Sequence, residues 1–350
     1  MLSTPILKEP AVSLCLIFKS MNPLSLYDPF EQMQFNGETC FLCGASLHNH
    51  QTIPVFSPWL LRHYGFGEKQ LLLLDKSIIQ YQDLTIPCCT ACQEQYIEPL
   101  EQRLEKAHQK GIAGFKAADE RDIYLWLAKM FYGILVRELL NEQNPLIKPE
   151  HAVGENPKMF IKFQSFFKLL QALRVPILFD DFTPFSLFML AVKEGENEMP
   201  FAYRDELNTM MFSIKIGAVQ LVCHLLDNNV LQKALKPVYD DLKEKPMHPI
   251  QAAEFTARAY YAAYLFNLIP EYFERRPAPG EDFLIYDTLV DDITMPVFNP
   301  WEQQSYAKLL AEMWQQWNIS REQILRNPRE PLSYIYDEHG NFRANSSINM

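Results

Sequence analysis

The stretch that decides how this chain is organised is Thr39-Cys40-Phe41-Leu42-Cys43-Gly44, followed after 45 residues by Cys89-Thr90-Ala91-Cys92. A C-x2-C pair bends the chain so that two thiolates converge on one ion. Backbone N–H groups of the bend then donate to the sulfurs. Two such pairs complete a tetrahedral S4 set, which suits Zn²⁺. The metal ligands read from this spacing are Cys40, Cys43, Cys89 and Cys92, and the cofactor is Zn²⁺. Cys88 stands beside Cys89 and competes for the same role; the x2 spacing favours Cys89. The chain holds seven cysteines, and five of them fall between residues 40 and 92. No secretion signal is visible, so a reducing compartment is expected, and clustered cysteines there mean metal before disulfide.

The residues around the pairs give the module its order. Gly44 ends the first knuckle, where a turn reaches positive φ. Val55 to Leu60 form a middle segment, Leu71 to Leu74 and Leu84 to Pro87 read as strands, and the second pair opens a helical stretch to about Lys110. Ile97, Leu100 and Leu104 share one face of that stretch, Pro99 marks where its long part begins, and Gly111 caps its end. Knuckle, hairpin and a helix bearing the second ligand pair is the treble-clef layout.

That layout resembles the HNH-type nucleases with a four-cysteine structural zinc, over residues 40–105. In that family the first pair leads to a phrase Glu-His-(apolar)2-Pro-x-Trp-Leu, and the second ends in Cys-Asn. The corresponding phrase here is Ile53-Pro54-Val55-Phe56-Ser57-Pro58-Trp59-Leu60, and the second pair ends in Cys92-Gln93. The resemblance implies the family's zinc framework but not its chemistry. Pro54 stands where the general-base histidine belongs and Gln93 where the asparagine belongs, and a nuclease of this class needs a base to activate water and ligands for a catalytic metal. His48, His50 and His63 are the nearby histidines, and His48 or His50 would carry catalysis if the chain were a divergent metal-dependent nuclease. The bland reading makes all three loop or helix-edge side chains. Residues 36–110 carry six basic and eight acidic side chains, and the whole chain has a formal net charge of −11. Such a surface disfavours grip on phosphate, so neither nucleic acid nor anionic lipid is the expected partner.

Beyond the cysteines the chain reads as an α+β protein, mostly α. Of its 350 residues 48% are apolar and 21% charged, which excludes wholesale disorder. The division expected is an N-terminal arm or strand (1–35), a treble-clef zinc module (36–111), a larger helical body with a small antiparallel sheet inserted (112–335) and a C-terminal tail (336–350). Ala11 to Phe18 is the longest early apolar run, too short to span a bilayer, and reads as a buried strand or short helix. Helical spacing runs through 120–141, 158–174, 230–245, 249–267 and about 300–317. Pro184 to Val192 and Met210 to Leu226 are β-rich, with Gly217 as a hairpin turn or bulge and polar Ser213 and Lys215 alternating with Ile214 and Ile216. Five prolines make 270–300 connection or short strands. Phe201 to Asp205 reads as a strand end. His224 reads as a core histidine and His248 as a helix cap. Trp126, Trp301, Trp314 and Trp317 read as core. The Asp180-Asp181, Asp240-Asp241 and Asp291-Asp292 pairs point apart and make poor clamps.

The phrases Trp126 to Gly133, Leu170 to Arg174 and His248 to Glu254 look similar to those of bacterial proteins in which a comparable cysteine knuckle heads a mostly helical body; that likeness brings no activity with it. The reading is therefore a cytoplasmic, zinc-stabilised, non-catalytic HNH-like protein. It would act through protein partners as an interaction or sensor component, in a bacterial nucleic-acid-processing or phage-defence assembly. The divergent HNH-type endonuclease is the alternative.

Overall fold

The computed structural model describes residues 24–31, 35–48, 51–73, 76–139, 157–194, 199–275, 277–278, 280–289, 296–327 and 331–344. Most of the expected arm, including Ala11 to Phe18, lies outside them, as do His50, Asp291-Asp292 and the last six residues.

After the first cysteine knuckle come β1 (Thr52–Pro54), α1 (Pro58–Tyr64), β2 (Gln70–Leu72), β3 (Ile78–Gln80) and β4 (Thr85–Pro87). β1 pairs antiparallel with β4, and β2 with β3. The middle segment Val55 to Leu60 enters α1: Pro58 occupies its first turn and Gly65 ends it in the left-handed conformation. The second cysteine pair opens α2 (Thr90–Cys92), which continues through a π-turn (Gln93–Ile97) into α3 (Glu98–His108). Pro99 sits in the first turn of α3. Gly111, at φ 60°, turns the chain directly into α4 (Gly111–Ala117).

The body begins with α5 (Glu120–Leu139) and α6 (Pro157–Leu170). From Ile123 to Val136 α5 is buried on every face, as a helix apolar all round must be. Next come β5 (Ile177–Phe179), β6 (Ser186–Ala191), β7 (Phe201–Glu206), β8 (Met211–Ile216) and β9 (Val219–His224). β6, β9, β8 and β7 form one antiparallel sheet in that order, with the β8–β9 hairpin closed at Gly217. Phe201 to Glu206 is a full strand of this sheet, not a strand end.

α7 (Val230–Leu242) and α8 (Pro249–Leu265) follow, then β10 (Glu271–Arg275), β11 (Leu284–Leu289), α9 (Gln303–Met313) and α10 (Arg321–Ile324). β11 pairs antiparallel with β10 and parallel with β5. The proline-rich stretch thus supplies two strands of a mixed sheet.

The four-stranded sheet is covered on both sides. Leu187, Met189, Phe212 and Ile214 pack toward the core that contains α5. Phe188, Leu190, Met211 and Val222 pack with residues of α7 and α8. The polar alternation in β8 therefore does not mark a wet face: Ser213 is buried and hydrogen-bonds the Tyr260 hydroxyl at 3.1 Å. Trp126 and Trp314 are core residues, but Trp301 is 39% exposed, because it precedes α9 rather than lying in it.

One core runs across the cysteine-bearing region and the body. Phe56, Leu60, Ile86 and Leu104 share it with Ile123, Phe131, Phe166 and Leu187. Gly133 permits the approach, since a Cβ there would stand 2.6 Å from a Val55 methyl.

Candidate metal centre

The first cysteine pair is shaped by backbone hydrogen bonds. Cys40 N–H donates to Ala45 O at 2.8 Å and Gly44 N–H to Cys40 O at 2.9 Å. Gly44 has φ 70°, and a Cβ on it would meet the Tyr27 ring at 2.5 Å, so the turn needs glycine for both conformation and space. Phe41 N–H donates to Pro87 O at 2.8 Å and ties the knuckle to the end of β4. The β1–β4 pairing therefore brings the two cysteine pairs together. Cys89 is the N-cap of α2, and its sulfur accepts the Cys92 N–H at 3.4 Å.

The four sulfurs of Cys40, Cys43, Cys89 and Cys92 all lie within 4.8 Å of one another. Cys43 Sγ and Cys89 Sγ are 3.8 Å apart. A tetrahedral ion with Zn–S bonds of about 2.3 Å has S···S edges of about 3.8 Å, so the donor set fits Zn²⁺ in size, number and softness. Cys88 is outside the set: it is buried, and its thiol points back to Cys89 O at 3.5 Å. Cys40 and Cys92 are buried and Cys43 and Cys89 half-buried, which leaves the site near the surface but closed by its own ligands.

The electrostatics of the thiol cluster also suit a cation. The neighbouring thiols, that of Cys43 first, hold the Cys40 thiol far below its ordinary range. The Cys43 and Cys92 thiols are pushed up, first because each serves Cys40, with burial adding to the rise. A divalent ion would displace the remaining protons and offset two of the four thiolate charges.

The other residues singled out by sequence are scattered. His48 is exposed beyond the knuckle. Pro54 and Gln93 do line one cleft of about 180 Å³, together with Arg62, Glu98, Glu101 and Lys129, and no histidine among the described residues lines it. Gln93 is engaged, its amide donating to Glu98 at 2.9 Å. The floor is a buried network. Lys129 Nζ meets Glu101 Oε1 at 2.7 Å, while the Trp59 and Trp126 indole N–H groups donate to Glu101 Oε2 at 2.9 and 3.2 Å.

His224 is a core residue whose Nδ1 accepts the Leu226 N–H; burial first, and Lys162 second, lower it to about 3. His248 caps α8 within a capping box completed by Gln251. Asp180 pairs with Arg275, and Asp240 with Lys236 and Lys243, as surface ion pairs.

His63 opens elsewhere, onto a cleft that it shares with Tyr64 and His108. Sequence reasoning missed His108 and Tyr64. The signal was thin: a lone histidine at the end of a helix and a tyrosine after a histidine, 44 residues apart.

No helix among the described residues is long and apolar enough to cross a membrane. The chain matches no protein-family model, no curated protein and no solved structure.

Proposed function

We propose that residues 36–111 form a structural zinc module of treble-clef type, HNH-like in its cysteine framework and without nuclease chemistry. The protein would then act as an interaction or sensor component, binding protein partners in the cytoplasm. The HNH-like framework favours a bacterial nucleic-acid-processing or phage-defence assembly as its setting. The observation that carries the non-catalytic reading is the cleft at Pro54 and Gln93. It holds carboxylates, a guanidinium and a buried ion pair, but no imidazole from the described residues to activate water. An S4 zinc has no open coordination position, so the metal itself offers no site for chemistry. The acidic balance of the region supports partners other than nucleic acid.

The test is a nicking assay on plasmid and single-stranded DNA with Mg²⁺ or Mn²⁺, run beside His48→Ala and His50→Ala. No cleavage is expected. Cleavage that disappears in either variant would replace this reading with the divergent nuclease. A pull-down from the native host tests the positive half: specific protein partners are expected, and recovery of nucleic acid alone would count against it.

A further inference from the structure

Trp59 lines a second opening besides the cleft at Pro54, a cavity of about 500 Å³ between α1, the end of α3 and the β8–β9 turn. Its polar lining is His63, Tyr64, Glu105, His108, Gln109 and Glu194, and among the described residues no lysine or arginine lines it. We propose that this cavity binds an organic cation, a ligand bearing a primary ammonium or a guanidinium group, through Glu194 and Tyr64, with Glu105 as a second carboxylate. The proposal is independent of the zinc centre and of the function proposed above.

The hydrogen-bond inventory makes the case. Tyr64 Oη and His108 Nε2 are 2.7 Å apart. With His108 in the tautomer that leaves Nε2 an acceptor, the phenol proton serves the imidazole. What Tyr64 then turns to the cavity is an acceptor. Both carboxylates are acceptors as well. A cavity with several acceptors and no cationic side chain is complementary to a ligand that only donates, and an ammonium or guanidinium does only that.

Geometry converges on one point. Gly217 forms the floor at φ 58°, and a Cβ placed on it would stand 3.0 Å from Glu194 Oε1 and 3.1 Å from Tyr64 Oη. The two oxygens thus overhang the same spot, near enough for one donor nitrogen to engage both. Glycine at this position leaves that spot open.

His63 and His108 pack edge to face, ring centroids 4.9 Å apart, and Trp59 lies 5.1 Å from His108, which gives the wall a fixed shape. The volume suits a small molecule or one long basic side chain. A metal site is disfavoured here. Among the described residues the four cysteines are the only group of three or more candidate ligands whose donor atoms converge.

The experiment is calorimetric titration of the full-length, zinc-loaded protein with agmatine, arginine methyl ester and spermidine, and with acetate and AMP as anionic controls. At least one cation should bind and neither anion should. Glu194→Gln and Tyr64→Phe should each weaken binding about tenfold or more, the size of a lost charge-assisted or buried hydrogen bond. Glu194 is exposed, so its amide variant keeps the fold, and the circular dichroism of both variants should match the parent. The proposal is overturned if none of the three cations binds, if the anions bind as well, or if both variants bind like the parent. Titration with Ni²⁺ is the remaining arm. Nickel binding lost in His63→Ala, with no amine binding in the parent, would make this a metal site and overturn the proposal too.

Discussion

Lys129 Nζ lies 2.7 Å from Glu101 Oε1, and this buried contact joins α3, the helix continuous with the second cysteine pair, to α5 at the centre of the body. Lys129 is 1% exposed. A charge so far from water persists only when paired, and removing one partner of such a pair costs about 3–5 kcal/mol. Glu101 also accepts two indole N–H groups, so Lys129→Met leaves the carboxylate with two donors. Glu101→Leu strands the ammonium and the Trp59 N–H together, whereas Trp126 keeps Ser57 at 2.7 Å. Urea denaturation should therefore rank Glu101→Leu as the costlier single change. The double variant should cost less than the two singles added. Strict additivity would show that the pair is not coupled.

The metal centre predicts a contrast between adjacent residues. Purified protein should carry about one zinc per chain. Cys89→Ser should lose it and Cys88→Ser should keep it, because only Cys89 shares the convergent sulfur set. Structural zinc contributes about 10–16 kcal/mol of apparent binding free energy, comparable with the whole stability of a domain. Cys40→Ser, or a strong chelator, should therefore expose residues 36–111 to protease. Atomic emission analysis and limited proteolysis read both outcomes. Equal zinc in Cys88→Ser and Cys89→Ser would refute the assignment.

Gly133 offers a test of packing against propensity. Alanine is favoured over glycine inside a helix by about 1 kcal/mol. A Cβ at 133 would meet Val55 methyls at 2.6 and 2.8 Å, and Val55 is fully buried. Overpacking costs about 1–3 kcal/mol, so Gly133→Ala should lower the unfolding midpoint. In a Val55→Ala background the same change should cost less. A stabilised Gly133→Ala protein would mean that Val55 and α5 are not this close.

Two buried groups give opposite pH dependences. Burial raises Asp227 to about 7, partly offset by the Ser186 hydroxyl and by the Leu231 and Asn229 N–H groups. An unfolded aspartate titrates near 3.9. The native state thus binds the extra proton between about 4 and 7, and Asp227 makes stability fall as pH rises through that window. His224 is lowered to about 3, so the unfolded state binds the extra proton between about 3 and 6.5, and stability falls as pH drops. The cost of Asp227→Asn should be largest near pH 4 and shrink toward pH 7. The cost of His224→Gln should run the other way. Chemical denaturation of the three proteins across pH 4–7 decides it; a pH-independent cost for either variant would contradict the burial assigned to it.

The elements legible in the chain were those whose code is local. The C-x2-C pairs, the all-apolar turns of α5, the β8–β9 hairpin around Gly217 and the His248 cap each depend on spacings of a few residues, and backbone geometry alone gives those spacings a meaning. The acidic balance was legible because charge needs no geometry.

Pairing across long stretches was decided by the tertiary structure. Cys88 and Cys89 are neighbours and chemically identical; the approach of the knuckle to β4 turns Cys89 toward the other three sulfurs. β11 finds β5 more than a hundred residues upstream, which no local pattern encodes. Ser213 reads as a solvent-side residue until α8 covers that face. Trp301 reads as core until its place before α9 leaves it exposed. Glu101 and Lys129 look like ordinary surface charges on two separate helices, and become a buried pair only when α3 and α5 pack. Tyr64 and His108 likewise meet because α1 folds back on the end of α3. Sequence spacing fixes which face of an element a residue occupies; what lies opposite that face is set by packing among elements distant in the chain.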